Sequence, residues 1–116
     1  MLIPMVQGGH SSSSIFTVAT GGTITTVDTN YKVHTFNDSG AFEITTLGSD
    51  AVVDYLVIAG GGGGGGSNGG GGGGAGGYRT ATGLAVTAQE YTITVGAGGA
   101  GSGNNQSSVA GVDSVF

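Results

Sequence analysis

The chain has 116 residues, of which 28 are glycine, one is proline and none is cysteine; charged residues make up 8% and the formal net charge is −5. That length is one domain's worth, but the glycine share leaves few side chains for a core, so oligomerisation is the expected remedy. Lys32 and Arg79 as the sole cations argue against a nucleic-acid or anionic-membrane partner, since both need several Lys or Arg, and the lack of cysteine excludes disulfides and thiolate metal sites.

Met1, Leu2, Ile3, Pro4, Met5 and Val6 form an apolar lead, followed by Gln7-Gly8-Gly9 and by Ser11 to Ser14. The pattern predicts an anchoring segment and polar spacer over 1–14, ahead of a glycine-rich β domain over 15–116. A docking peg is one reading of the lead and a frayed end the other. On the peg reading, truncating residues 1–9 leaves folding intact and abolishes incorporation into a larger assembly. The lead lacks a basic n-region and is too short for a signal h-region, and nothing in the chain reaches the length of a membrane-spanning helix.

Ile15-Phe16-Thr17-Val18 and Thr23-Ile24-Thr25-Thr26-Val27, divided by Gly21-Gly22, are rich in strand formers. Asp28-Thr29-Asn30 reads as a turn, and Tyr31 to Phe36 as the next strand. The turn signal Asn37-Asp38-Ser39-Gly40 then predicts a hairpin with Ala41 to Thr46, whose alternation puts Phe42 and Ile44 on one face and Glu43 and Thr45 on the other. Val52 to Ala59 is apolar in both parities and wants cover on both faces.

From Gly60 to Gly77 the chain is glycine except for Ser67, Asn68 and Ala75. Ordering that run costs on the order of 20 kcal/mol, which a domain stable by about 5–15 kcal/mol could hardly bear unaided. Two outcomes follow: a floppy loop, or bare backbone locked by hydrogen bonds to other backbone, with neighbouring chains the expected source. An extended left-handed threefold helix would give the run a reach of roughly 55 Å and leave its amides in need of partners alongside. Leu84 to Thr87 and Tyr91 to Val95 then predict a second hairpin around Ala88-Gln89-Glu90, leading into a second glycine segment from Gly96 to Gly103. Asn104 to Ser108 reads as a loop and Val109 to Phe116 as a last short strand.

The residues point away from catalysis. The glycine run lacks the Lys-Ser/Thr ending and following helix of a phosphate loop. His34 has opposite parity to Tyr31 and Val33 and reads as an exposed strand histidine, and His10 as solvated. Asp28, Asp38, Asp50 and Glu90 fall in turns, where they satisfy local amides, and the nucleophile-elbow context is absent. Asp54 interrupts the most apolar strand. It is either buried and paired with Arg79, with Tyr78 capping the core, or wet at an edge.

Taken in order, Tyr31 to Phe36, Ser39 to Phe42, Val53 to Gly60 with its glycine run, Gly73 to Arg79 and Tyr91 to Gly101 resemble the glycine-rich domain of bacteriophage tail and tail-fibre proteins. The match covers residues 31–116, and Val112 to Phe116 is similar to the family's next strand, after which relatives carry more glycine-rich sequence; the natural chain is expected to continue beyond Phe116. The resemblance implies a virion component without enzymatic activity or cofactor, commonly trimeric, assembled in the host cytoplasm, whose N-terminus docks to other virion proteins.

The expected architecture is therefore all-β: a small antiparallel β-sandwich with two glycine-rich tracts, built into a homo-oligomer. Besides Met1 to Val6, the candidate assembly residues are Gly60, Gly66, Gly69, Gly77, Tyr78 and Arg79. A receptor-binding adhesin module contacting the host cell surface is the alternative. An ice-binding or matrix protein of glycine-helix type would be glycine-periodic nearly end to end, whereas these tracts are islands between strands.

Overall fold

The runs rich in Thr, Val and Ile become strands in the computed structural model, which describes residues 1–7, 16–66, 69–104 and 106–116. The expected spacer over 8–14, including His10 and its expected solvation, Ile15 at the start of the first expected strand, and Ser67, Asn68 and Asn105 lie outside the described residues. The strands are β1 (Leu2–Gln7), β2 (Val18–Thr20), β3 (Thr23–Val27), β4 (Tyr31–Thr35), β5 (Gly40–Thr46), β6 (Val52–Ile58), β7 (Tyr78–Ala85) and β8 (Glu90–Ile93). They form a five-stranded sheet in the order β3-β4-β1-β6-β7 and a three-stranded sheet in the order β2-β5-β8. Every pairing is antiparallel, and the result is the expected all-β sandwich.

The N-terminal lead departs most from expectation. It is no peg set apart from the domain: β1 is the middle strand of the larger sheet, paired to β6 from Leu2↔Val57 to Val6↔Val53 and to β4 from Met5↔Val33 to Gln7↔Tyr31. Leu2 is 0% exposed and Val6 3%, both in the core with Phe36, Phe42, Ile44, Val53 and Ile93. Proline argues against a central strand because it donates no ladder bond. Here the pairing of β1 with β4 is interrupted around Pro4, between the Leu2–Phe36 bridge and the Met5–Val33 pair, so the missing N–H falls in the gap.

Two expected hairpins are crossings instead. β4 pairs with β1 and β3, whereas β5 pairs with β2 and β8 in the other sheet, so Asn37 to Ser39 carry the chain across the sandwich. Likewise β7 pairs with β6 and β8 with β5, which puts the segments around Ala88-Gln89-Glu90 in different sheets. The genuine hairpin is β3–β4, turning at Asp28 with φ 52°, a conformation Asp tolerates. A further crossing runs through Gly21 and Gly22 at φ 106° and 63°; a Cβ on Gly21 would collide with the Ala41 carbonyl oxygen, so the close approach requires glycine.

β5 keeps its predicted alternation, with Phe42 and Ile44 buried and Glu43 and Thr45 exposed. Phe116 joins the two sheets: its ring meets Tyr55 of β6 at 5.8 Å, Phe42 of β5 at 6.1 Å and Tyr91 of β8 at 5.9 Å between centroids.

Candidate functional site

Glycine carries no Cβ, so a glycine chain held in one conformation must be held by its amides and carbonyls. Four segments supply them to one another: 59–66 and 70–77 on either side of the first glycine turn, and 96–103 and 109–115 on either side of the second. Segment 59–66 lies in the middle. The amides of Ala59, Gly62 and Gly65 donate to the carbonyls of Gly77, Gly74 and Gly71 at 2.8, 2.9 and 2.9 Å. Those of Gly60 and Gly63 donate to Val112 and Val109, each at 2.9 Å. The carbonyls of Gly61 and Gly64 accept from Gly99 at 2.7 Å and Ser102 at 3.0 Å.

Each series advances by three residues, so one chain faces three neighbours in turn, the period of a threefold extended helix. The expectation of backbone locked by backbone holds. The partners, however, come from the same chain, because both tracts leave the sandwich and return to it, which gives four segments without a sister copy. Val109 to Phe116 is correspondingly no ordinary strand: Val112 donates to Ala97, and Val115 exchanges bonds with Thr94. The spacing Val109, Val112, Val115, period three rather than two, was the signal for it.

The same period fixes where glycine is obligatory. A Cβ on Gly60, Gly63 or Gly66 would collide with the carbonyl oxygens of Ala97, Ala100 and Ser102 respectively, and one on Gly96 or Gly99 with those of Val112 and Val109. Where the two tracts meet the sheets, hydroxyls extend the pattern. Ser114 Oγ accepts from the Gly96 amide at 2.9 Å and donates to the Ile58 carbonyl at 2.8 Å, so it stands where a direct amide-to-carbonyl bond would continue the series. At the far end Ser102 Oγ accepts from the Gly66 amide at 2.8 Å. Replacing Ser114 with alanine strands a part-buried amide, and the expected cost is about 1–3 kcal/mol in denaturant unfolding, against near zero for Ser114→Thr.

The expected assembly residues divide between the two ends of this bundle. Gly60 and Gly77 sit at its base beside Tyr78, which pairs with Ile58, and Arg79, which pairs with Val57. Met1 joins them, its amino group donating to the Ile58 carbonyl at 3.2 Å. Gly66 and Gly69 lie at the far end, Gly69 at φ 93° with open space where a Cβ would be. Leu2, Pro4 and Val6 are buried and Ile3 and Met5 half-buried in β1, so they are not a separate docking element.

Tyr78 does not cap the core, being 69% exposed. With Arg79, Asp113 and Phe116 it lines an open cleft of about 550 Å³ at the base. Asp54 does not pair with Arg79; its Oδ1 accepts the Gly83 amide at 2.8 Å, beside the register shift between β6 and β7 and opposite a glycine at φ 69°. A bulge supplies the partner that the strand's apolar pattern concealed.

His34 is fully buried, not exposed. Nδ1 lies 2.8 Å from the Gly21 carbonyl, which can only accept, so Nδ1 carries the proton and Nε2 is left as a buried acceptor with no partner among the described residues. The Phe42 ring stands edge-on at 5.1 Å. Burial pushes the imidazole below its ordinary 6.5, outweighing the upward pull of the Gly21 carbonyl, while Lys32 adds a smaller downward push. The unfolded chain therefore takes up the proton first. Stability is expected to be level above pH 6.5 and to be lost as pH falls from there through the depressed folded value. Denaturant midpoints from pH 8 down to 5 measure the slope, and His34→Leu is expected to flatten it.

Among the described residues no three His, Asp or Glu side chains gather as a metal site, and no helix is long and apolar enough to cross a membrane. Residues 35–116 match the model of a family described as a glycine-rich domain, which takes in the whole bundle and leaves β1, β2, β3 and all of β4 but Thr35 outside it. No curated protein and no solved structure matches the chain.

Proposed function

The chain belongs to the glycine-rich domain family, and we propose that it is a structural component of a bacteriophage virion, a tail-fibre or appendage protein that assembles as a homo-oligomer, with a trimer favoured, and catalyses no reaction. The ordered series of motifs from Tyr31 to Phe116 supports the phage assignment. The observation that carries the structural role is the bundle itself: length held by main chain alone, in a molecule measuring 64 × 24 × 20 Å. Such a rod projects without needing an apolar core along its length.

Contacts with other virion proteins then fall on the sheet end, since residues 1–6 are built into the sandwich. Neither nucleic acid nor membrane insertion belongs to this reading. Immuno-electron microscopy of purified particles tests it: label on a tail appendage is the expected result, and particles that lack the protein by mass spectrometry overturn it.

Receptor binding is the second reading. It is favoured by the connectivity, which carries Gly66, Gly69, Gly103 and Asn104 to the end of the bundle remote from the sheets. Purified protein that binds host cells, and loses binding when those residues are exchanged, would separate an adhesin from a collar.

A further inference from the structure

The four segments of the bundle do not use their main-chain groups equally. Segment 59–66 has neighbours on three sides, whereas 70–77 touches one. Its carbonyls at Gly71, Gly74 and Gly77 accept the bonds from the middle segment, but among the described residues none of the amides from Gly71 to Gly76 donates within the chain. The carbonyls of Gly72, Gly73, Ala75 and Gly76 accept nothing within it either. All of these residues are exposed. The segment is an edge in the sense that the outer strand of a sheet is an edge, with a row of exposed donors and acceptors left without a partner among the described residues.

Residue choice along that edge is the second observation. Gly73 is obligatory, because a Cβ there would collide with the Gly62 carbonyl, and Gly76 adopts φ 87°. At Gly71, Gly72 and Gly74 nothing lies within 4 Å of a Cβ, and none of the three has a positive φ. The fold of the single chain therefore does not require glycine at these positions, although glycine loses more freedom on ordering than alanine. Inside the bundle, at Gly60, Gly63, Gly96 and Gly99, it is the close approach of another main chain that requires glycine.

We infer that the outer edge of residues 70–77 binds the same edge of a second copy of this chain, main chain to main chain. Donors and acceptors are both vacant on it, so the surface is self-complementary about a two-fold axis. Two such segments meeting antiparallel exchange N–H···O bonds at every third residue, a repeat of about 9.3 Å. A β-strand offers its carbonyls at period two and brings Cβ atoms with them, so it does not fit; an extended glycine chain does.

The inference rests on the homo-oligomer part of the reading above, with a two-fold dimer in place of the trimer favoured there, and its test separates the edge from the oligomer. Sedimentation velocity on the full chain, from micromolar to near-millimolar, compares wild type with Gly71→Ala/Gly72→Ala/Gly74→Ala. Wild type is expected to dimerise, and the variant to dissociate at least about tenfold more readily, with an unchanged or higher unfolding midpoint at concentrations where both are monomeric. A wild-type oligomer that the substitutions leave intact overturns the edge and keeps the oligomer; a chain monomeric throughout overturns both. Amide exchange gives a readout that does not depend on the variant: protection at Gly71 to Gly76 in wild type is expected to rise with protein concentration, and protection independent of concentration overturns the edge.

Discussion

Deleting residues 1–7 is expected to abolish cooperative folding, not merely to detach the protein from a partner. β1 is hydrogen-bonded on both sides, to β4 and to β6, and without it the larger sheet divides into a β3–β4 hairpin and a β6–β7 pair. Leu2 and Val6 leave the core with it, together with the buried Pro4. Burial of an apolar side chain of that size stabilises by about 1.5–3 kcal/mol, and the lost ladder bonds add about 0.5–1.5 kcal/mol each. Together these approach the whole stability of a typical domain, about 5–15 kcal/mol. Circular dichroism and a denaturant titration of the truncated chain measure the effect; a sigmoidal transition close to that of the intact chain would refute the assignment of β1. The milder variant Leu2→Ala is expected to cost about 2–5 kcal/mol while leaving the sheet formed.

Gly63→Ala is expected to be among the most damaging single substitutions in the bundle, costing at least about 3 kcal/mol. The new methyl would meet the Ala100 carbonyl oxygen, and its other near neighbours, the Ala100 carbonyl carbon and the Gly101 amide nitrogen, are main chain as well. No rotamer relieves such a clash, so segments 59–66 and 96–103 must move apart. That strains the bonds from Gly99 to Gly61 and from Ser102 to Gly64 on either side. Gly72→Ala, a few residues away on the open edge, is the control: it is expected to be neutral or to stabilise by about 0.4–1 kcal/mol through the unfolded state. Paired unfolding curves test the contrast, and equal effects at the two positions would remove the three-residue register proposed for the bundle.

Local sequence carried the strand content well and the partner choice poorly. The alternation around Phe42 and Ile44 and the strand formers from Thr23 to Val27 report backbone preference and burial, which are local. Turn chemistry at Asn37 to Gly40 is also local, but it says only that the chain bends, and the same residues serve a hairpin within one sheet or a crossing to the other. Parity misplaced His34, because the core-facing residues of β4 had to be inferred from Tyr31 and Val33, which lie half-buried on the opposite face. Pro4 disguised β1, since the gap that accommodates it exists only after β4 has taken its place. In the candidate site, the need for backbone to lock backbone was visible in the glycine run. That one chain would provide all four segments was not, although the period-three valines near the C-terminus pointed to it.

A bundle held by amides and carbonyls hides very little hydrocarbon, and that bears on how the protein answers temperature. Exposure of apolar surface is what raises heat capacity on unfolding, and exposure of peptide groups lowers it. Melting these segments therefore adds little to, or subtracts from, the increment contributed by the sandwich, so the stability curve of the whole chain is flatter than its length suggests. The grip of an oily interior fades in the cold; a lattice of peptide contacts keeps its hold there, and the rod stays stiff across a range over which a hydrophobic stalk of equal length would loosen.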